Sequence, residues 1–90
     1  MTRENLVTAS DLLATAAEDT DDEDAAERLD SLSDQLDTLA HRDRGPDHGR
    51  LARIESGLDE IQTDASDDVA TTIEDALEAI RAYRETVEGV

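Results

Sequence analysis

Cysteine, lysine, phenylalanine and tryptophan are all missing from this 90-residue chain, which has one tyrosine and one proline. Without cysteine there is no disulfide to staple a small fold and no thiol nucleophile. Nearly ring-free, the chain lacks the platforms on which single-stranded nucleic acid stacks. The positive charge that would hold a phosphate backbone is missing too, since 8 arginines face 25 acidic residues for a net charge of −17. No run of about 18 apolar residues is present to span a membrane, and no basic-then-apolar N-terminus resembles a signal peptide. We therefore expect a cytoplasmic chain that binds neither nucleic acid directly nor a membrane.

What is abundant is carboxylate. In dilute buffer so many like charges on a small domain repel one another, but at about 1 M salt the screening length falls to roughly 3 Å and most of that repulsion vanishes. An acidic, lysine-free composition thus reads as adaptation to concentrated salt. It describes a solvent more than a task. Ninety residues make a single domain, residues 1–90, near the size at which one core holds a chain folded, and only 18 residues are Leu, Ile or Val. A core this thin commonly recruits a second copy, so a homodimer is expected.

Apolar residues recur at helical spacing four times, which predicts an all-α fold with helices over about 3–18, 21–41, 48–63 and 67–88. The first face is Leu6, Ala9, Leu13 and Ala16, with Thr2 as a cap. The second is Ala25, Leu29, Leu32, Leu36 and Leu39, opened by a Thr20/Glu23 capping box. The third is Leu51, Ile54, Leu58 and Ile61; continuing its register would put Asp68 on the seam, so it must stop near residues 63–67. Ser66 caps the fourth, whose face is Val69, Ile73, Ala76, Ile80, Tyr83 and Val87, with Gly89 at its end. Shifting the first helix by 45 residues lays Leu6, Ala9 and Leu13 on Leu51, Ile54 and Leu58; shifting the second by 44 lays Leu29 and Leu36 on Ile73 and Ile80. A duplication explains this, and so does any pair of amphipathic hairpins of similar length. Two hairpins with short connections give a four-helix bundle-like arrangement, closed within the chain or across a dimer.

Composition changes between His41 and Arg53, HRDRGPDHGRLAR, which holds both histidines and four of the eight arginines. Gly45-Pro46 turns the chain, and Asp47 is a credible N-cap for the helix that follows. A helix N-terminus with arginines nearby suits a phosphate or carboxylate, making Arg44, His48, Arg50 and Arg53 the candidate anion or partner contacts. In the competing reading Asp47 caps the helix and the arginines pair with the chain's own carboxylates. His41, Asp43, Asp47 and His48 are suitable ligand types for a transition metal, but their spacing matches no established motif. Asp19, Asp21 and Glu23 imitate the opening of a calcium loop, yet Asp24 and Asp30 stand where that loop needs Gly and Glu. No catalytic, cofactor or metal residue is assigned.

The Pro46–Arg53 segment, Pro-Asp-His-Gly-Arg-Leu-Ala-Arg, follows Leu32, Leu36 and Leu39 in an acidic, lysine-free chain. In this it resembles a family of small acidic helical proteins of halophilic archaea to which no activity is assigned. The resemblance covers the middle third of the chain; the rest agrees in composition and helix pattern. It implies a short helical protein in a salt-rich cytoplasm, with the His48 segment as its signature, and carries over no catalytic residue. Together these readings point to a non-catalytic helical interaction or structural module adapted to high salt. The alternatives are a small-anion or metal-binding protein using the His41–Arg53 segment, and an acidic regulator of a basic protein partner.

Overall fold

Three of the four helices begin at a side chain that accepts one or two of their first free amides. The computed structural model describes residues 4–42 and 47–87, apart from the side chain of Val87, and contains α1 (Glu4–Asp19), α2 (Glu23–His41), α3 (His48–Asp64) and α4 (Asp67–Val87). Thr2, Asp43, Arg44, the Gly45-Pro46 turn and Gly89 lie outside the described residues, as does any contact of the Val87 side chain. Asp22, not Thr20, caps α2: its Oδ1 accepts the amides of Asp24 and Ala25 at 3.0 and 3.2 Å. Thr20 Oγ1 accepts the amide of Asp22 instead. A carboxylate followed by Glu23 and Asp24 places more negative charge on the helix's positive end than a hydroxyl can, which moves the start of α2 two residues later than the capping box implied. Asp47 caps α3 through the amide of Arg50 at 3.0 Å, and Ser66 Oγ accepts the amide of Val69 at 3.4 Å at the start of α4.

The helices form an all-α up-and-down bundle measuring 40 × 20 × 19 Å. Helix α1 lies against both α2 and α4, α3 lies against α4, and α2 meets α3 only lightly. The apolar seams close within one chain. The faces of α1 and α3 are buried as their spacing predicts; in α4, Leu77 joins Val69, Ile73, Ala76, Ile80 and Tyr83, since a residue four beyond Ile73 shares its face. Among the described residues Val7 is the one large hydrophobic that is exposed.

Helix α2 departs most from its pattern. Leu29, Leu36 and Leu39 are buried, but Leu32 and Ala25 are only half-buried, and Ser33 is buried instead. Ser33 faces Ser10 of α1. Ser10 Oγ donates to the Ser33 carbonyl oxygen at 2.9 Å, and Ser33 Oγ donates to the Ser10 carbonyl oxygen at 2.8 Å. Two small side chains that satisfy their own hydroxyls across the interface let α1 and α2 approach closely without an unpaired polar group. The second hairpin has nothing equivalent, because the 45- and 44-residue offsets put Glu55 and Leu77 at the places of Ser10 and Ser33.

Leu32 lies on the α2–α3 side, over Gly57. A methyl group added at Gly57 would sit 3.6 Å from Leu32 Cδ1 and 3.7 Å from a terminal nitrogen of Arg28, both ordinary contacts. Glycine inside a helix costs about 0.5–1 kcal/mol relative to alanine. Gly57→Ala is therefore expected to stabilise the protein by about that amount, read as a raised thermal midpoint; a lowered midpoint would mean that α2 and α3 need the bare backbone to approach. None of the described helices is long and apolar enough to cross a membrane.

Candidate functional site

The described residues of the segment singled out by composition join a knot of charge pairs at the end of the bundle where α2 finishes, α3 begins and α4 finishes. Asp47 sits at its centre. Its carboxylate accepts the Arg50 amide, lies 3.6 Å from Arg42 Nη1 and 4.0 Å from Arg50 Nε. The backbone hydrogen bond from Arg50, with the guanidinium charges of Arg42, Arg50 and Arg53 nearby, holds the Asp47 carboxyl below its ordinary range. The N-terminus of α3 is thus already occupied by the chain's own carboxylate.

His48 turns away from Asp47 toward α4. Arg84 Nε donates to His48 Nδ1 at 3.2 Å, and Arg84 Nη1 donates to Glu55 Oε2 at 2.6 Å. Arg81 lies 3.7 Å from Glu55 and 3.6 Å from Glu74. His41 stays on its own helix, with Nδ1 donating to the Asp37 carbonyl oxygen at 2.8 Å. The two histidines therefore belong to separate contacts, and among the described residues no three His, Asp or Glu side chains are placed to share a metal ion.

Of the four candidate contacts, Arg50 is drawn onto Asp47 and His48 onto Arg84; Arg53 makes no ion pair with a described residue, and Arg44 is outside the described residues. Sequence reading missed Arg84, Glu55 and Arg42 as members of this network. Arg42 lay inside the arginine-rich segment without being singled out there, whereas Glu55 and Arg84 carry no local signal.

Two shallow concavities mark the described surface, one on the outer face of α2 and one at an end of the bundle. The larger, about 660 Å³, runs along α2 from Glu27 to Arg42 and is closed at one end by Arg50. The smaller, about 320 Å³, opens at the opposite end of the bundle, near Asp19, Asp22, Asp64 and the Arg28–Glu60 pair. Charge is thus unevenly spread: Arg42, Arg50, Arg53, Arg81 and Arg84 gather toward one end, while Asp19, Asp21, Asp22, Glu23, Asp24, Asp64, Asp67 and Asp68 crowd the other.

The depressed titration of Asp47 makes a prediction with a definite sign. A carboxyl whose folded-state pKa lies below its unfolded value contributes stability that is present above the ordinary carboxylate range and is lost as the pH falls through the folded value. Asp47→Ala is expected to lower the thermal midpoint by about 5 °C at pH 7 through loss of the cap. The gap between the two proteins should close at a pH below the folded titration of Asp47; a gap unchanged down to pH 2 would show that the carboxylate charge plays no part.

The model of a family described as "Family of unknown function (DUF7553)" matches residues 1–86. No curated protein and no solved structure matches the chain. The chain belongs to that family of unknown function.

Proposed function

From that membership, we propose that the protein is a non-catalytic helical interaction module working in a salt-rich cytoplasm, of the kind found in halophilic archaea, and that it meets its partner through its carboxylate surface. One observation carries the reading. Of the six described arginines, five are held by the chain's own carboxylates, namely Arg28 by Glu60, Arg42 and Arg50 by Asp47, and Arg81 and Arg84 by Glu55. Cations spent internally leave carboxylate as the chemistry offered outward. A basic partner gains from this surface, whereas a free anion meets guanidinium groups already engaged.

The test uses the full chain as bait in a lysate of its source organism held at about 2 M KCl, followed by reconstitution of the recovered protein with purified bait in sedimentation velocity. A stoichiometric complex weakened by neutralising surface carboxylates supports the reading. Recovery of no partner, or a complex indifferent to those carboxylates, overturns it.

The homodimer expected from the size of the chain is a separate proposal. With the apolar seams closed inside one chain, a second copy must bind through the charged exterior. Sedimentation equilibrium at about 2 M KCl tests this by mass action, and a strictly monomeric mass up to about 100 μM rejects it.

A further inference from the structure

We propose that α3 detaches as a unit from the other three helices, which stay packed together, and that Glu55 is the clasp governing how often it does so. Every ion pair that joins two helices among the described residues has α3, or its cap Asp47, as one member. Arg28 reaches Glu60 from α2, Arg42 reaches Asp47 from the end of α2, and Arg81 and Arg84 reach Glu55 from α4. Gln62 of α3 adds hydrogen bonds to the Ala70 carbonyl oxygen and to Glu74 of α4, both at 3.1 Å. Among the described residues α1 makes no ion pair at all. Its buried face is Leu6, Ala9, Ser10, Leu13, Ala16 and Ala17, whose many short side chains let α2 and α4 come close. The buried face of α3 is Leu51, Ile54, Leu58 and Ile61, without an alanine; α4 lies against it and α2 meets it lightly.

The two kinds of interface differ in what separation costs. Parting α1 from α2 and α4 puts chiefly apolar surface into water. Parting α3 from α4 exposes apolar surface too, but the side chains of Glu55, 17% exposed, and Arg84, 27% exposed, regain the hydration they gave up on pairing. That return offsets much of their mutual attraction, so a charge-paired edge resists opening less than an apolar edge of equal area. The body left behind is continuous, because α1 lies against both α2 and α4. Opening of its least integrated element below the free energy of global unfolding is the behaviour expected of such a fold. Glu55 controls it because two arginines of α4 converge there, Arg84 Nη1 donating at 2.6 Å and Arg81 Nε lying at 3.7 Å. Without that charge, Arg84 is left with His48 Nδ1 at 3.2 Å and Arg81 with Glu74 at 3.6 Å. The closed state then loses an attraction that the open state never had.

The test follows amide hydrogen exchange of the ¹⁵N-labelled full chain by NMR at about 2 M KCl, where the net charge is screened. Amides inside α3, such as those of Leu58 and Asp59, are expected to exchange about tenfold faster than those of Leu13, Leu36 and Ile80 inside the other helices. E55Q should speed exchange in α3 by a further factor of about ten and leave α1, α2 and α4 unchanged. S33A, which removes one of the hydrogen bonds between α1 and α2, should do the reverse, speeding α1, α2 and α4 while α3 keeps its own rate. The rates of the unsubstituted chain decide the first point even where a variant fails to fold. Amides of α3 as slow as those of α1, or an E55Q effect shared by all four helices, would overturn the proposal and show a bundle that opens only by unfolding whole.

Discussion

Transfer from about 2 M to about 0.05 M KCl is expected to abolish most of the helical circular dichroism, and its return on adding salt should be complete. The reason is a comparison of lengths. The radius of gyration is 12.3 Å. At 0.05 M the screening length is roughly 14 Å, so every carboxylate feels those on the far side of the bundle; at 2 M it is roughly 2 Å, and only groups in contact interact. A net charge of −17 therefore acts on the whole fold in one solvent and hardly at all in the other. Opposing it is a domain whose total stability is of the order of 4–14 kcal/mol, with much of its core built from alanine and single leucines. Equal recovery in NaCl and KCl is expected, because screening does not distinguish the cations. A full, cooperative melt in 0.05 M KCl would overturn the proposed adaptation to salt.

Ile80→Asp should leave the protein unfolded even at about 2 M KCl. Ile80 is completely buried on α4, the helix that packs against both α1 and α3, so its side chain belongs to the part of the core shared by three helices. Truncating such a residue alone costs about 2–5 kcal/mol, and a carboxylate left there without a cation adds a desolvation penalty of several more. The sum equals or exceeds the stability available. Ile80→Val, which keeps the shape and loses one methylene, should cost about 0.5–1.5 kcal/mol and keep the helical signal. That pair of variants separates the loss of packing from the burial of charge. A folded Ile80→Asp protein would show that α4 can shift to expose this position, and that the bundle is looser than its burial indicates.

The helix faces were legible because charge is so dense that any apolar residue in register stands out, as Leu51, Ile54, Leu58 and Ile61 do on α3. Ser10 and Ser33 were not, since a serine reads as surface until the partner carbonyl that satisfies its hydroxyl is in place. Leu32 misled in the other direction. Its phase suits the core, but it lies over Gly57 on the side of the square that is not fully closed. At the His41–Arg53 segment the cap at Asp47 was readable from the turn before it, whereas the fate of His48 depends on Arg84, 36 residues away, and needed the fold. The start of α2 was misplaced because a recognisable capping box competes with the plainer advantage of a carboxylate two residues nearer the helix.

The two broadest interfaces both involve α1, one with its immediate neighbour α2 and the other with α4, the helix farthest from it along the chain. During synthesis the α1–α2 hairpin can form early, but it holds a seam with nothing to cover it until residues 67–87 have emerged. Folding must then close a loop nearly as long as the described chain, which slows the rate-limiting step relative to a bundle whose strong contacts are all sequential. Relinking the helices in the order α3–α4–α1–α2 would make each of the three substantial interfaces a contact between successive helices. Such a permuted chain would fold faster while unfolding at a similar rate.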